Sequence, residues 1–148
     1  MDFDELGKAI KKGDVVRIRH FLQSGGDANL SNHLFWTLLM LAALEGNTAI
    51  GEELIQRGAQ LDMQNKFGDT ALSLAAHTGH VGFFELLVRS GASLDGHPFG
   101  TSFESFLDWA AQYGTGAPEA MAKIKIIVKA KREGVRVDAP GESPPARK

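Results

Sequence analysis

The chain has no cysteine among its 148 residues, so disulfides, thiol catalysis and thiolate metal sites are excluded. It has no excess of either charge, since 16 Lys and Arg face 18 Asp and Glu for a net charge of −2. Such a balance provides no overall attraction to nucleic acid or to a membrane surface. No apolar run approaches the roughly 20 residues that span a bilayer, so we expect no membrane segment.

The chain also lacks the short signatures that mark common catalytic and nucleotide-binding sites. It contains no G-x-x-x-x-G-K-[ST], G-x-G-x-x-G, H-E-x-x-H or G-x-S-x-G. His77 and His80 could share a helical face as metal ligands, but Gly79 interrupts the helix between them. We therefore expect no enzyme activity, no metal and no cofactor.

The start of the chain, residues 1–5, is acidic and lacks the basic and apolar segments of a secretory signal. We therefore expect a cytoplasmic protein. Apolar residues make up 43% and charged residues 23% of the sequence, which is ordinary for a domain that buries a core. A chain of this length fits one compact domain.

Residues 65–95 read as two short helices separated by tight breaks. Gly68-Asp69-Thr70 combines turn residues with a helix cap, and Gly79-His80 ends the first apolar run. A second apolar run follows and ends at Gly91. Isolated helices below roughly 12–15 residues are marginal in water. This unit therefore needs neighbours stacked on both sides.

The neighbours lie one period of 33 residues away in the sequence. A shift of 33 places Thr70 on Thr37 and Gly79 on Gly46. The same shift aligns further pairs, namely Leu72 with Leu39, Ala75-Ala76 with Ala42-Ala43, Leu87 with Leu54, and Gly91-Ala92 with Gly58-Ala59. A second shift of 33 reaches a first unit that contains Leu6, Ala9, Gly13, Phe21-Leu22, Gly25-Gly26 and Asn29.

This period and pattern resemble the ankyrin repeat family. The third unit matches best, with G-D-T-A-L for the family's G-x-T-P-L, then A-A-x-x-G-H, then L-L-V-x-S-G-A. The resemblance extends over most of the chain and implies an all-α solenoid of stacked helix–turn–helix units with short hairpin tips. It implies one ankyrin repeat domain, residues 1–138, with four repeats at about 3–29, 31–62, 63–95 and 96–138.

Unit two departs from the family pattern at its tip. Phe35 stands where unit three has Gly68. A bulky aromatic residue resists the positive φ that glycine serves at such a position, so we expect a distorted tip between units one and two.

Unit four departs most. The turn after Asp95 and the loop after Gly114 are both longer than the family spacing, and Ser105 aligns with the family's capping Thr. Pro118 suits the first position of the last helix. Residues 139–148 are polar and rich in proline, which predicts a disordered tail.

The resemblance implies non-catalytic protein–protein recognition, because ankyrin proteins usually hold partners on a concave face made by the tips and first helices. The repeat leaves certain positions free there. Carried onto this chain, these predicted partner-binding residues are His33, Leu34, Trp36, Leu44, Glu45, Lys66, Phe67, Asp69, His77, Phe99, Phe103, Gln112 and Tyr113.

This set is rich in aromatic residues, which are enriched at interface hot spots. We expect Trp36 and Phe67 to be the main anchors. The alternative is that Phe35, Trp36 and Phe99 fold back onto their own loops. The protein would be a monomer when free and would act as an inhibitor or immunity-type protein, or as an adaptor or assembly chaperone; the residues do not separate these roles.

Lysines cluster at both ends of the repeat array. Lys8, Lys11 and Lys12 lie in unit one, and residues 123–132 form a basic last helix. These lysines fit solvated caps for the two terminal repeats, which have one side without a neighbour. The alternative function is binding of an acidic ligand or, less expected, nucleic acid, and steep salt dependence would favour it.

Overall fold

The structure, a computed structural model, describes residues 1–95 and 102–134. This part of the chain folds into eight α-helices, which are α1 Phe3–Lys12, α2 Val15–Gln23, α3 Leu38–Glu45, α4 Thr48–Gln56, α5 Ala71–Thr78, α6 Val81–Arg89, α7 Phe103–Tyr113 and α8 Pro118–Arg132. None of these helices is long and apolar enough to cross a membrane.

Each unit contributes a first and a second helix that pack against each other. The first helices α1, α3, α5 and α7 stack in chain order, and so do the second helices α2, α4, α6 and α8. The predicted all-α solenoid of stacked helical units is therefore confirmed. Helix α3 is apolar almost all round because it is packed between α1 and α5 as well as against α4.

Local capping chemistry sets the bounds of the first helices. The hydroxyls of Thr37 and Thr70 accept hydrogen bonds from the backbone N–H groups three residues later, which would otherwise be unpaired. The first three of these helices end at glycines in the left-handed conformation, namely Gly13, Gly46 and Gly79, with φ of 73°, 70° and 74°. The same cap is therefore repeated with the period of the sequence.

One continuous hydrophobic core runs through the stack, from Leu6 in α1 to Val128 in α8. The paired alanines of α3 and α5 are fully buried. Their small side chains let neighbouring first helices approach closely, while Leu54 and Leu87 fill the space beneath the second helices.

Unit four begins one turn earlier than the sequence alignment indicates. Ser102 caps α7, and its hydroxyl accepts from the N–H of Ser105, the residue that the alignment placed at the cap. Helix α7 thus has 11 residues, whereas α3 and α5 have eight. Pro118 begins α8 as predicted. The predicted tail, residues 139–148, lies outside the described residues.

The tip at residues 32–36 is regular, so the expected distortion is wrong. The N–H of Asn32 donates to the carbonyl of Trp36 over 3.1 Å, and the side-chain oxygen of Asn32 accepts from two further N–H groups of the turn. Asn65 makes the same three bonds in the next tip. Phe35 takes φ of 62°, in the region where Gly68 has 83°. The hydrogen bonds of Asn32 hold the turn, so Phe35 keeps a left-handed backbone conformation in spite of its strain.

Phe35→Gly is expected to raise the free energy of unfolding by up to about 1 kcal/mol. A left-handed residue with a Cβ costs roughly 1–2 kcal/mol, which the added chain entropy of glycine offsets in part. Urea denaturation measures the change. Gly68→Ala, at the matching position of the next tip, should lower the stability. A loss of stability in Phe35→Gly would mean that the ring's contacts outweigh its backbone strain.

Candidate functional site

Two neighbouring hairpin tips present an exposed aromatic surface, which we call the tip patch: Leu34, Phe35, Lys66 and Phe67. The N–H of Lys66 donates to the carbonyl of Leu34 over 3.0 Å and joins the tips. The Lys66 ammonium lies 5.7 Å from the centre of the Phe35 ring, within range of a cation–π contact. Phe35 is 50% exposed and Phe67 59%. The patch is therefore ordered yet open to solvent.

A second aromatic surface lies on α5 and α7, which we call the aromatic floor: His77, Trp109 and Tyr113. The His77 and Trp109 rings stack with centres 5.5 Å apart, and Trp109 contacts Tyr113 at 5.8 Å. Trp109 and Tyr113 are four residues apart, which places them on one face of α7. Trp109 is 37% exposed and Tyr113 63%.

Helix α5 connects the two surfaces. Phe67 and Asp69 precede its first residue, and His77 lies in its last turn. At 1.5 Å per residue, the six steps from Ala71 to His77 advance about 9 Å along the axis of α5. The tip patch and the aromatic floor thus lie at opposite ends of the first-helix layer.

His80 has a structural role that links two repeats. Its Nδ1 lies 3.0 Å from the carbonyl oxygen of Ala43 in the preceding unit and 2.9 Å from the hydroxyl of Thr78. The ring packs against Gly46, where a Cβ would come within 2.5 Å of it. The described residues contain no cluster of three or more potential metal ligands.

The repeated caps, the stacked first helices and this histidine link describe one family. Its profile, ankyrin repeats in three copies, matches residues 6–97 and again residues 39–124. The chain belongs to the ankyrin repeat family. A comparison with curated proteins finds no match. Ankyrin repeats are generic modules of protein–protein interaction, and proteins of this family are typically non-catalytic binding modules.

The predicted ankyrin partner-binding positions divide by exposure. The exposed ones are His33, Glu45, Lys66, Phe67, Gln112 and Tyr113. The partly buried ones are Leu34, Trp36, Leu44, Asp69 and His77. Phe99 lies outside the described residues.

Phe103 is a core residue, so its predicted place among exposed tip residues is wrong. It is 1% exposed, and its ring lies 6.1 Å from Phe84 and 5.5 Å from Phe106. The physical reason is the early start of α7, because the extra turn places Phe103 inside the helix and over the core.

Trp36 is less accessible than its predicted role as an anchor requires. It is partly buried and packs against the main core, whereas the alternative expected it to pack on its own loop. The neighbouring residue Phe35 is exposed instead, and its ring lies in solvent beside Lys66. Phe35 is therefore the exposed aromatic residue of this tip.

Sequence reasoning missed Phe35 and Trp109 as surface residues. Phe35 was considered as a strained turn residue and as a ring folded back onto its own loop, although backbone strain is often found at functional sites. Trp109 precedes Tyr113 by four residues, and this helical spacing was available in the sequence.

Asp69 links the tip to the start of α5 through polar contacts. Its N–H donates to the side-chain oxygen of Asn65, and the hydroxyl of Ser73 donates to its carboxylate over 3.4 Å. Burial raises the pKa of Asp69 above its ordinary 3.8, against the opposing hydrogen bonds from Ser73 and Asn65 and the charge of His77. Because Ser73 is fully buried, the pair offers no reactive surface to a substrate.

The lysines at the two ends of the array differ in their partners. In α8, Lys125 pairs with Asp108 over 2.9 Å and Arg132 with Glu104 over 2.8 Å. In α1, the exposed Lys8, Lys11 and Lys12 form no ion pair with the other described residues. Lys123, Lys129 and Lys131 of α8 also form no ion pair with the other described residues, so each end of the array keeps three unpaired lysines.

Proposed function

We propose that residues 1–138 form a recognition domain that binds another protein through its concave face, without catalysis. The tip patch and the aromatic floor are the main contacts. One observation carries the proposal: the four exposed aromatic side chains among the described residues, Phe35, Phe67, Trp109 and Tyr113, all belong to tips or first helices. Aromatic residues with one apolar face dominate binding energy at interfaces.

The mechanism is recognition by a surface that is already assembled. Backbone bonds within and between the tips fix the chain that carries Phe35 and Phe67, and ring contacts restrain the side chains of Trp109 and Tyr113. Less conformational entropy is then lost on binding than from a mobile loop, which leaves more of the contact energy as affinity. A face spread over four units can supply the roughly 800 Å² per partner of a standard interface.

Two roles are compatible with this mode of binding. An inhibitor or immunity-type protein would insert the tip aromatics into a partner's active site, whereas an adaptor or assembly chaperone would hold a partner without blocking it. Titrating the domain into an activity assay of the captured partner separates these roles. We also propose a cytoplasmic location and a monomeric free state, which light scattering on the purified chain would test.

Affinity capture from the native source tests the recognition surface. The wild-type chain and one double variant, Phe67→Glu with Tyr113→Glu, are used side by side to capture partner proteins. Charges at both ends of the apolar face should weaken partner capture at least tenfold, since a buried unpaired charge is strongly unfavourable. Mass spectrometry with isotope labelling gives the ratio. Trp36 is left unchanged because it packs against the core.

Ile126→Glu is the matched control, because Ile126 is 68% exposed on α8, a second helix. Circular dichroism should show all three proteins equally folded. Capture of the same proteins by wild type and by the double variant would contradict the proposal.

The alternative is binding of an acidic ligand or nucleic acid at the lysines of the terminal repeats, in α1 or in α8. Two results together would favour this alternative. Partner capture would fall steeply between low and moderate salt, and the double variant Phe67→Glu, Tyr113→Glu would still capture the partner.

A further inference from the structure

The first-helix side of the stack changes character from one end to the other. We infer that its partner is a polypeptide segment that places an acidic cluster over unit one and an apolar or aromatic side chain over unit four, about 27 Å away. This inference rests on the proposed function and adds the chemistry of the bound segment and the spacing of its two anchors.

The change is visible at matching positions of the four first helices. The last two residues before each terminal glycine are Lys11-Lys12 in α1, Leu44-Glu45 in α3, His77-Thr78 in α5 and Gln112-Tyr113 in α7. Because these helices stack in chain order, the surface runs from cationic through mixed to aromatic.

At the first end, the charges suit a carboxylate ligand. Lys8, Lys11 and Lys12 are exposed and lack ion-pair partners among the described residues. The acids of α1, Asp4 and Glu5, belong to its first turn, at the opposite end of the helix. Glu45 is the acidic residue at the matching position of the next helix, so a positive excess remains.

At the other end, the charges of α7 are directed away from the aromatic floor. Glu104 and Asp108 pair with Arg132 and Lys125 of α8. The rings of Trp109 and Tyr113 are left as the partly exposed surface of α7 beside His77. An apolar or aromatic side chain of the partner fits this end, whereas a charged one gains no ion pair from these rings.

Packing geometry sets the distance between the two ends. Neighbouring packed helices lie 8–10 Å apart, so three steps from α1 to α7 span about 27 Å. An extended chain advances about 3.3 Å per residue and covers this span with about eight residues. An α-helical segment would need about 18 residues. The number of residues between the acidic cluster and the apolar side chain of the partner segment therefore indicates whether the bound segment is extended or helical.

Selection from a displayed library of random 20-residue peptides on the immobilised full chain tests the inference. We expect enriched peptides to carry Asp or Glu at one end and an aromatic or large aliphatic residue about 8 or about 18 residues away. A synthetic peptide from this group should lose at least tenfold in affinity to Lys11→Glu, Lys12→Glu and to Tyr113→Ala.

Lys123→Glu, Lys129→Glu on α8 is the control with the same change of charge, and it should leave peptide affinity unchanged. Binding that depends on Tyr113 but not on Lys11 and Lys12 would overturn the inference and leave the proposed function standing. Binding that is indifferent to both sites would contradict both. Failure to enrich any peptide would overturn a linear segment as the ligand, while partner capture would still test the proposed function. Displacement of the peptide by single-stranded oligo-dT would assign the lysine end to nucleic acid instead.

Discussion

Leu87→Ala is expected to lower the free energy of unfolding by about 2–5 kcal/mol, the usual cost of removing a fully buried leucine. Leu87 lies in α6, which packs against α4, α5 and α8, and it is wholly inaccessible to solvent. Truncation removes its transfer energy and leaves a cavity, because helices held on three sides cannot close over the gap. Urea denaturation followed by circular dichroism measures the loss.

Ile126→Ala is the matched control, since it also removes an aliphatic side chain from a second helix but from an exposed position. Its effect should stay within about 0.5 kcal/mol. An unchanged midpoint in Leu87→Ala would contradict the repeat register, in which Leu87 and the equally buried Leu54 occupy the same place in successive units.

Gly79→Ala is expected to lower the free energy of unfolding by about 2–5 kcal/mol for two separate reasons. Gly79 has φ of 74°, where a side chain costs roughly 1–2 kcal/mol. A Cβ would also lie 2.5 Å from the Cα of Gly116, in the loop whose Thr115 N–H donates to the His77 carbonyl. The backbone at Gly116 cannot move aside as a flexible side chain can. The close contact with the new Cβ therefore adds about 1–3 kcal/mol to the loss of stability.

Gly13→Ala separates these two costs. Gly13 ends α1 at the same repeat position with φ of 73°, but a Cβ there would meet only the Asn47 amide nitrogen, at 3.3 Å. This variant should show the conformational cost alone, about 1–2 kcal/mol. Equal losses in the two variants would mean that the contact between Gly79 and the loop at Gly116 adds nothing to stability.

The helical repeat followed from local chemistry that is visible in the sequence. Thr37 and Thr70 cap first helices, and Gly46 and Gly79 end them, as the 33-residue shift predicts. A hydroxyl that accepts from an N–H three residues later, and a glycine that takes a positive φ, act within a few residues of chain. Such features do not depend on what packs around them.

The candidate site was predicted only in part, because exposure depends on neighbours. Phe67 and Tyr113 were placed correctly on the surface, at positions that the repeat leaves free. Phe103 was misplaced because the longer connection into unit four hid the true start of α7. Phe35 at the glycine position predicted a distorted tip, but the Asn32 bonds hold a regular turn in which Phe35 is exposed and Trp36 packs against the core.

The sequence by itself therefore determined the repeat, the helix ends of units two and three and the order of stacking, since caps and glycines act locally and recur with one period. Only the tertiary structure decided which aromatic rings reach solvent and which lysines lack partners. Those properties arise from contacts between units, such as Trp109 on His77 and Lys125 with Asp108, whose geometry depends on how α5, α7 and α8 pack.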